Sequence, residues 1–181
     1  MRRAYKCRAM NDKRDRNIIG AFALMIADEI AVAASSPAPD AGPTSAALAL
    51  LDHEPGMSVR TLAAGVGLSH AGTVRLVDRL VADGLVERRE HASDARTRAL
   101  HLTPEGMKAS AAVLDARDHV IGELLSPLNS EEKEILTRLG ERVLRARLRD
   151  LSHAYHICRL CSYTSCSECP IDQELGSSTG R

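Results

Sequence analysis

Hydroxyl-bearing residues and glycines punctuate residues 58–106 at spacings that leave the backbone few alternatives. Ser58 stands before VRTLAAGVG and can accept an orphan first-turn N–H as a helix N-cap. Gly67 follows where a tight turn between two helices needs a residue tolerant of positive φ. Ser69 caps a longer helix, expected over about 70–83, which Gly84 stops at C′. Val74, Val77, Leu80 and Val81 are expected on its buried face. LVERRE (85–90) and TRALHL (97–102) read as two strands joined by the polar loop HASDAR. Thr103-Pro104 starts another helix, with threonine as cap and proline at the first helical position.

The flanks read as helices. Hydrophobic residues make up 44% of the chain, carried by Ala, Leu and Val with one Phe and no Trp, a composition suited to packed helices rather than an aromatic-rich sandwich. A helix is expected from about Asp15 to Ala34, with Ile18, Phe22, Met25 or Ile26, Ile30 and Ala33 at helical spacing. Asp28 and Glu29 interrupt this stretch, so no transmembrane span is expected, and an amphipathic packing helix is preferred to a cleaved signal. The breaker-rich segment 35–45 links it to a helix over about 44–53 that Pro55-Gly56 ends. A long helix runs from Pro104 to about Leu125, where Ser126-Pro127 breaks it. Asn129 and Glu132 make a capping-box start for a last helix with Ile135, Leu139, Val143 and Ala146 in a stripe, running on through Tyr155. The tail after Asp172 reads as disordered.

The order helix, glycine turn, helix, β-hairpin is that of a winged helix-turn-helix, whose second helix fits the major groove of DNA, about 12 Å wide. LAAGVGLSHAGTVRLVDRLVADGLVERR (62–89) and DARTRALHLTPEG (94–106) resemble the MarR family of bacterial transcriptional regulators. With the flanking helices the resemblance covers about residues 15–150. It implies a mainly α fold with a small β-hairpin wing and N- and C-terminal dimerisation helices that interlock in a homodimer. It also implies recognition of a pseudo-palindromic operator in double-stranded DNA. Ser69, His70, Thr73 and Arg75 then fall on the exposed N-terminal part of the recognition helix, and Arg79, Arg88 and Arg89 become candidate phosphate contacts. Arg96 falls at the wing tip, held by Asp94; the family's usual second arginine between them is Ala95 here, for which Arg98 can compensate. The implied division is 1–43, N-terminal dimerisation helix and linker; 44–103, DNA-binding domain; 104–152, C-terminal dimerisation helices; and 153–181, a cysteine-rich segment with a flexible tail.

That last segment lies outside the family pattern. Cys158, Cys161, Cys166 and Cys169 are spaced C-x2-C-x4-C-x2-C. Two such pairs supply the four sulfurs of a tetrahedral zinc site or an iron–sulfur cluster. Cys169-Pro170 favours an iron–sulfur cluster (2Fe–2S or 4Fe–4S) over Zn2+, with a metal-free thiol switch as a third alternative. His153 or His156 could replace one thiolate, and Cys7 reads as an isolated thiol. Clustered cysteines suit a reducing cytoplasm.

Net charge is zero, 24 basic against 24 acidic residues, so global electrostatics do not announce DNA binding. Residues 60–98 carry seven arginines against five acids, a modest local excess. No catalytic triad, phosphate-cradling loop or carboxylate pair is legible, so no enzyme is expected. The leading reading is a dimeric regulator, a repressor, with a four-cysteine centre that senses redox state or metal. The rivals are a metal or iron–sulfur protein using its winged helix for protein contacts, and a regulator responding to a small-molecule effector with a purely structural zinc. No effector pocket is legible in a chain so poor in aromatics.

Overall fold

The computed structural model describes residues 12–35, 42–91, 94–166 and 168–178, with only the backbone of 91–98 and 177–178. Helices run over Asp12–Ser35 (α1), Pro43–His53 (α2), Val59–Val66 (α3), His70–Ala82 (α4), Pro104–Leu124 (α5), Ser130–Arg147 (α6), Leu151–Cys158 (α7) and Pro170–Ser178 (α8). The strands are Val86–His91 (β1) and Asp94–Leu102 (β2), antiparallel, with Val86 opposite Leu102 and Glu90 opposite Arg98. The fold is therefore mainly helical with one two-stranded wing.

The caps read from the sequence form. Ser58 Oγ accepts the Thr61 N–H at 3.1 Å, Ser69 Oγ accepts that of Gly72 at 3.1 Å, and Asn129 with Glu132 makes a full capping box. Each such cap is worth about 1 kcal/mol. Gly67 and Gly84 take φ of 71°, the left-handed conformation that closes each helix. Thr103 accepts the Gly106 N–H at 3.0 Å and donates to the Gly84 carbonyl at 2.6 Å, so one side chain joins the end of α4 to the start of α5.

The core lies inside the winged domain. Leu48, Leu50 and Leu51 of α2, Leu62 of α3, Val77 and Leu80 of α4 and Val86 and Leu100 of the wing are buried together. Burial of each such side chain contributes about 1.5–3 kcal/mol. Gly56 donates to the Leu100 carbonyl and Leu100 to that of Met57, at 2.8 and 3.0 Å, which ties the α2–α3 turn to β2.

Several expectations are corrected. On α4 the buried side chains are Thr73, Leu76, Val77 and Leu80, and Val81 is exposed: the buried face is centred nearer Thr73 and Leu76 than expected. The last helix does not run into the cysteines. Leu148 ends α6 in extended conformation, and Asp150 caps α7 by accepting the His153 N–H at 2.8 Å. The chain after Asp172 is helical through Ser178, within α8. By length and composition alone, α1 is long and apolar enough to cross a membrane, its most apolar stretch having a mean hydropathy of 1.8, so Asp28 and Glu29 do not exclude a span as expected. Cys7 and most of the 35–45 linker lie outside the described residues.

Candidate nucleic-acid interface and thiolate segment

The left-handed Gly67 turn and the Ser69 cap set where α4 begins, and packing of Leu76, Val77 and Leu80 sets which face it shows. Ser69, His70, Arg75 and Arg79 lie on the exposed side. Thr73 does not. It is 0% exposed, and its hydroxyl donates to the Ser69 carbonyl at 3.0 Å. Thr73, Leu76, Val77 and Leu80 follow one another at helical steps, so Thr73 begins the buried stripe and points into the core. Its place is structural, contrary to the exposed site expected for it.

The arginines divide. Arg75 is exposed, and among the described residues no ion pair engages it. Arg88 pairs with Asp78 of α4 at 2.6 Å, and Arg89 pairs with Glu87 beside it on β1. Both pairs are substantially exposed and contribute little to stability, but each gives its arginine a carboxylate partner within the protein. On the wing, the register slips beyond Glu90: His91 faces Asp94, leaving 95–97 as the extra residues of a bulge. Arg96 sits in that bulge and Arg98 opposite Glu90; their side chains, and the expected holding role of Asp94, lie outside the described residues.

The cysteine segment folds as α7, a 3-10 turn over Tyr163–Ser165, and α8. Cys158 is buried in a cluster with Ala154 and Ile171, against which Cys161 and Cys169 pack; Cys166 is exposed. Each thiol perturbs the other member of its C-x2-C pair, Cys158 with Cys161 and Cys166 with Cys169. The Cys158 thiol is the main cause that lowers the Cys161 thiol to about 7, with help from Arg117 and against burial; Cys161 and burial push Cys158 up. Across the pairs, Cys158 feels Cys169 and Cys166 feels Cys161 electrostatically, yet among the described residues no three donors converge as a metal requires. The donor set suits a soft metal by its chemistry, but its described arrangement does not bring three donors around one point.

The histidines named as substitute ligands have other surroundings. His156 Nδ1 lies 3.1 Å from the Gly65 carbonyl, which fixes the proton on that nitrogen. His153 Nδ1 is buried without a hydrogen-bond partner.

Sequence reasoning missed that this segment docks on the winged domain. Helix α7 packs against α3, the Tyr155 hydroxyl donates to the Glu54 carboxylate, and the Tyr163 ring stacks on His53. Burial raises the Tyr155 hydroxyl to about 12, aided by Glu54, and lowers His53 below its ordinary value. A signal was present: two of the three tyrosines in this aromatic-poor chain flank the first two cysteines.

The structure also shows a cavity that the sequence did not. It encloses about 510 Å³ between one face of α1, the start of α2 and α7, with Ile26, Ile30 and Ile157 as apolar wall and Arg117, His156 and Arg159 as polar groups.

Comparison with known proteins bears on residues 42–97, which match the model of the MarR family. The HTH-type transcriptional regulator BilQ of Clostridium symbiosum is 36% identical over 90 residues, 50% of this chain and 62% of BilQ, so the chain spans less than two thirds of that relative. The transcriptional regulator HosA of Escherichia coli is 30% identical over 102 residues, 56% of this chain and 76% of HosA. Among solved structures, the PcaV transcriptional regulator of Streptomyces coelicolor superposes with a TM-score of 0.54 at 26% identity, covering 70% of this chain and 95% of PcaV. The family match stops short of the cysteines. With its capped reading helix, its wing and these relatives, the chain belongs to the MarR family of transcriptional regulators.

Proposed function

We propose that this regulator acts in the cytoplasm as a homodimeric repressor, reading a pseudo-palindromic operator with α4 in the major groove and the wing beside it. The observation that carries this reading is the face of α4: core packing turns His70, Arg75 and Arg79 outward while Ser69 caps the helix end that leads into a groove. Ser69, Arg96 and Arg98 add phosphate or minor-groove contacts. The dimer rests on α1 and α6, whose Ile19, Leu24, Leu139 and Val143 are exposed within one protomer. A partner's helices covering these faces account for the apolarity of α1 without a membrane. Selection of bound sequences from random DNA tests the reading: enrichment of an inverted repeat supports it, and salt-sensitive binding without sequence preference defeats it.

The cysteines form the second part of the proposal. Cys158, Cys161, Cys166 and Cys169 hold one metal centre, an iron–sulfur cluster ahead of zinc, which senses redox state or metal. Support comes from the twice-repeated C-x2-C spacing, the packing of Cys158, Cys161 and Cys169 in one cluster and the suitability of thiolate donors for either group. The centre, when bound, supplies a charge and a covalent tie that change with oxidation or metal loss; the chain supplies the sulfurs and their apolar seat. Anaerobic purification tests it. Visible colour with acid-labile sulfide is expected, and colourless protein with one zinc per chain leaves the thiolate site but removes the cluster. Absence of both metals removes the site.

The cavity favours an added small-molecule effector. Its apolar walls and two arginines suit an apolar-tailed anion, and titration calorimetry with benzoate and with uncharged benzyl alcohol discriminates that chemistry from simple hydrophobic uptake.

A further inference from the structure

The winged domain is attached to the flanking helices at two places. The first is α5, which Thr103 joins to the end of α4 and which packs on α1 and α2. A domain attached at one place can turn about it, and a second attachment far from the first stops that turn.

The second attachment starts on α6. None of its residues is buried within the protomer, and the element it packs on most is α8. At its end, Leu144 and Leu148 join Ala154, Cys158 and Ile171 in a small apolar cluster, and Arg145 donates to the Gln173 side chain of α8. From this cluster α7 reaches the winged domain. A Cβ on Gly65 would lie 3.3 Å from Tyr155 Cβ, and one on Gly67 would lie 3.2 Å from His156 Cε1, so the two glycines let α7 come close. The Tyr155 hydroxyl donates to Glu54, His156 Nδ1 donates to the Gly65 carbonyl, and the Tyr163 ring stacks on His53. His53 and Glu54 end α2, and Gly65 and Gly67 lie at the end of α3, just before α4 begins. The seat therefore adjoins the turn that aims α4.

We propose that residues 148–175 fix the rotation of the winged domain against α6 and thereby set which operator half-site spacing the dimer accepts. This rests on the proposed reading of the chain as a dimeric operator-binding regulator and adds a determinant of its specificity. The contacts are made by side chains and backbone, so nothing in it depends on what the cysteines hold. One extra base pair between half-sites moves the second by about 3.4 Å and turns it by about 35°. A winged domain held through α5 alone can follow that shift. One held also through α7 can follow it only by breaking the seat. Holding the domain before it binds also removes an ordering cost that a loose domain meets on DNA.

The experiment compares full-length wild type with Tyr155→Ala/Tyr163→Ala and with Tyr155→Phe/Tyr163→Phe. The alanine pair removes both rings from the seat and the phenylalanine pair keeps them; neither residue belongs to α4 or the wing. Amide hydrogen exchange without DNA is read first. Exchange across 151–158 should be faster in the alanine variant and close to wild type in the phenylalanine variant, with α4 protected in all three. If α4 also loses protection, Arg145→Ala/Leu148→Ala, which loosens the segment at its α6 end, takes the place of the alanine variant. Affinity at fixed salt is then measured on duplexes carrying the selected inverted repeat at its own spacing and with one base pair added or removed. The change in spacing should cost wild type and the phenylalanine variant roughly 10-fold, the size of one mismatched base pair, and the alanine variant roughly 3-fold or less. Wild-type exchange across 151–158 as fast as in the alanine variant overturns the second attachment. A loosened variant with the full wild-type spacing penalty overturns its role in specificity. Wild type that enriches no inverted repeat defeats the proposed function and the spacing role with it, and the exchange result, which needs no DNA, tells that failure from a missing attachment.

Discussion

Gly106 lies directly against the Leu85 carbonyl: a Cβ added to Gly106 would sit 2.0 Å from that oxygen. The two residues belong to the start of α5 and the turn before β1, where Leu85 also accepts the Thr103 N–H at 3.0 Å. Backbone meets backbone here, so no side chain can give way. Gly106→Ala should destabilise the protein by about 1–3 kcal/mol through overpacking. Gly122, on α5 with nothing near its Cβ position, is the control, and Gly122→Ala should stabilise by about 0.5–1 kcal/mol. Urea melts of both variants check the pair, and equal midpoints would contradict the close approach.

Thr73 and Arg75 are two residues apart on α4 and should fail in opposite ways. Thr73→Val removes a buried hydroxyl that donates to Ser69, at a cost of about 1 kcal/mol in stability, and should leave the operator affinity of the folded dimer unchanged. Arg75→Ala should leave stability unchanged and weaken operator binding by ~1–3 kcal/mol, roughly tenfold or more. Paired urea melts and fluorescence anisotropy at one salt concentration separate them. Operator loss in Thr73→Val at full stability would return that residue to the interface.

Leu139 is 52% exposed and Val143 61% exposed on α6, four residues apart on one stripe. Leu139→Glu places a charge where the partner is proposed to pack, so sedimentation should show monomer or aggregate in place of dimer. A dimer of unchanged affinity would move the interface off this stripe.

Tyr155 gives the docking of α7 a pH dependence. Its hydroxyl, ordinarily near 10, is raised to about 12 by burial and by the hydrogen bond to Glu54. The neutral form is favoured in the folded protein, so this contribution is fully present below pH 10 and lost as pH rises towards 12. Wild-type stability should fall more steeply across that window than that of Tyr155→Phe, which has no proton to lose. Urea melts at the two ends of the window decide it, and parallel slopes would show that Tyr155 does not couple docking to protonation.

Local signals in the sequence determined the winged domain. Ser58, Gly67, Ser69, Gly84 and Thr103 each act on neighbours within a few residues, through a cap or a left-handed turn, and such effects are readable without a partner element. The motif order 62–106 then sufficed for the family. The pairing of the cysteines, C-x2-C twice, is equally local. Tertiary packing decided what local rules leave open. The orientation of α4 that buries Thr73 and exposes Val81 depends on how the helix meets Leu62 and the wing, not on its own periodicity. The break at Leu148 and the seat of α7 on α3 bring Tyr155 to Glu54 and Tyr163 to His53 across about a hundred residues of chain, contacts that carry no periodic or spacing signal. The sequence alone therefore determined the elements of the winged domain and the family, whereas the face each helix shows, the break after α6 and the seat of α7 on α3 came only from side chains competing for one core, because burial is settled between elements and not within them.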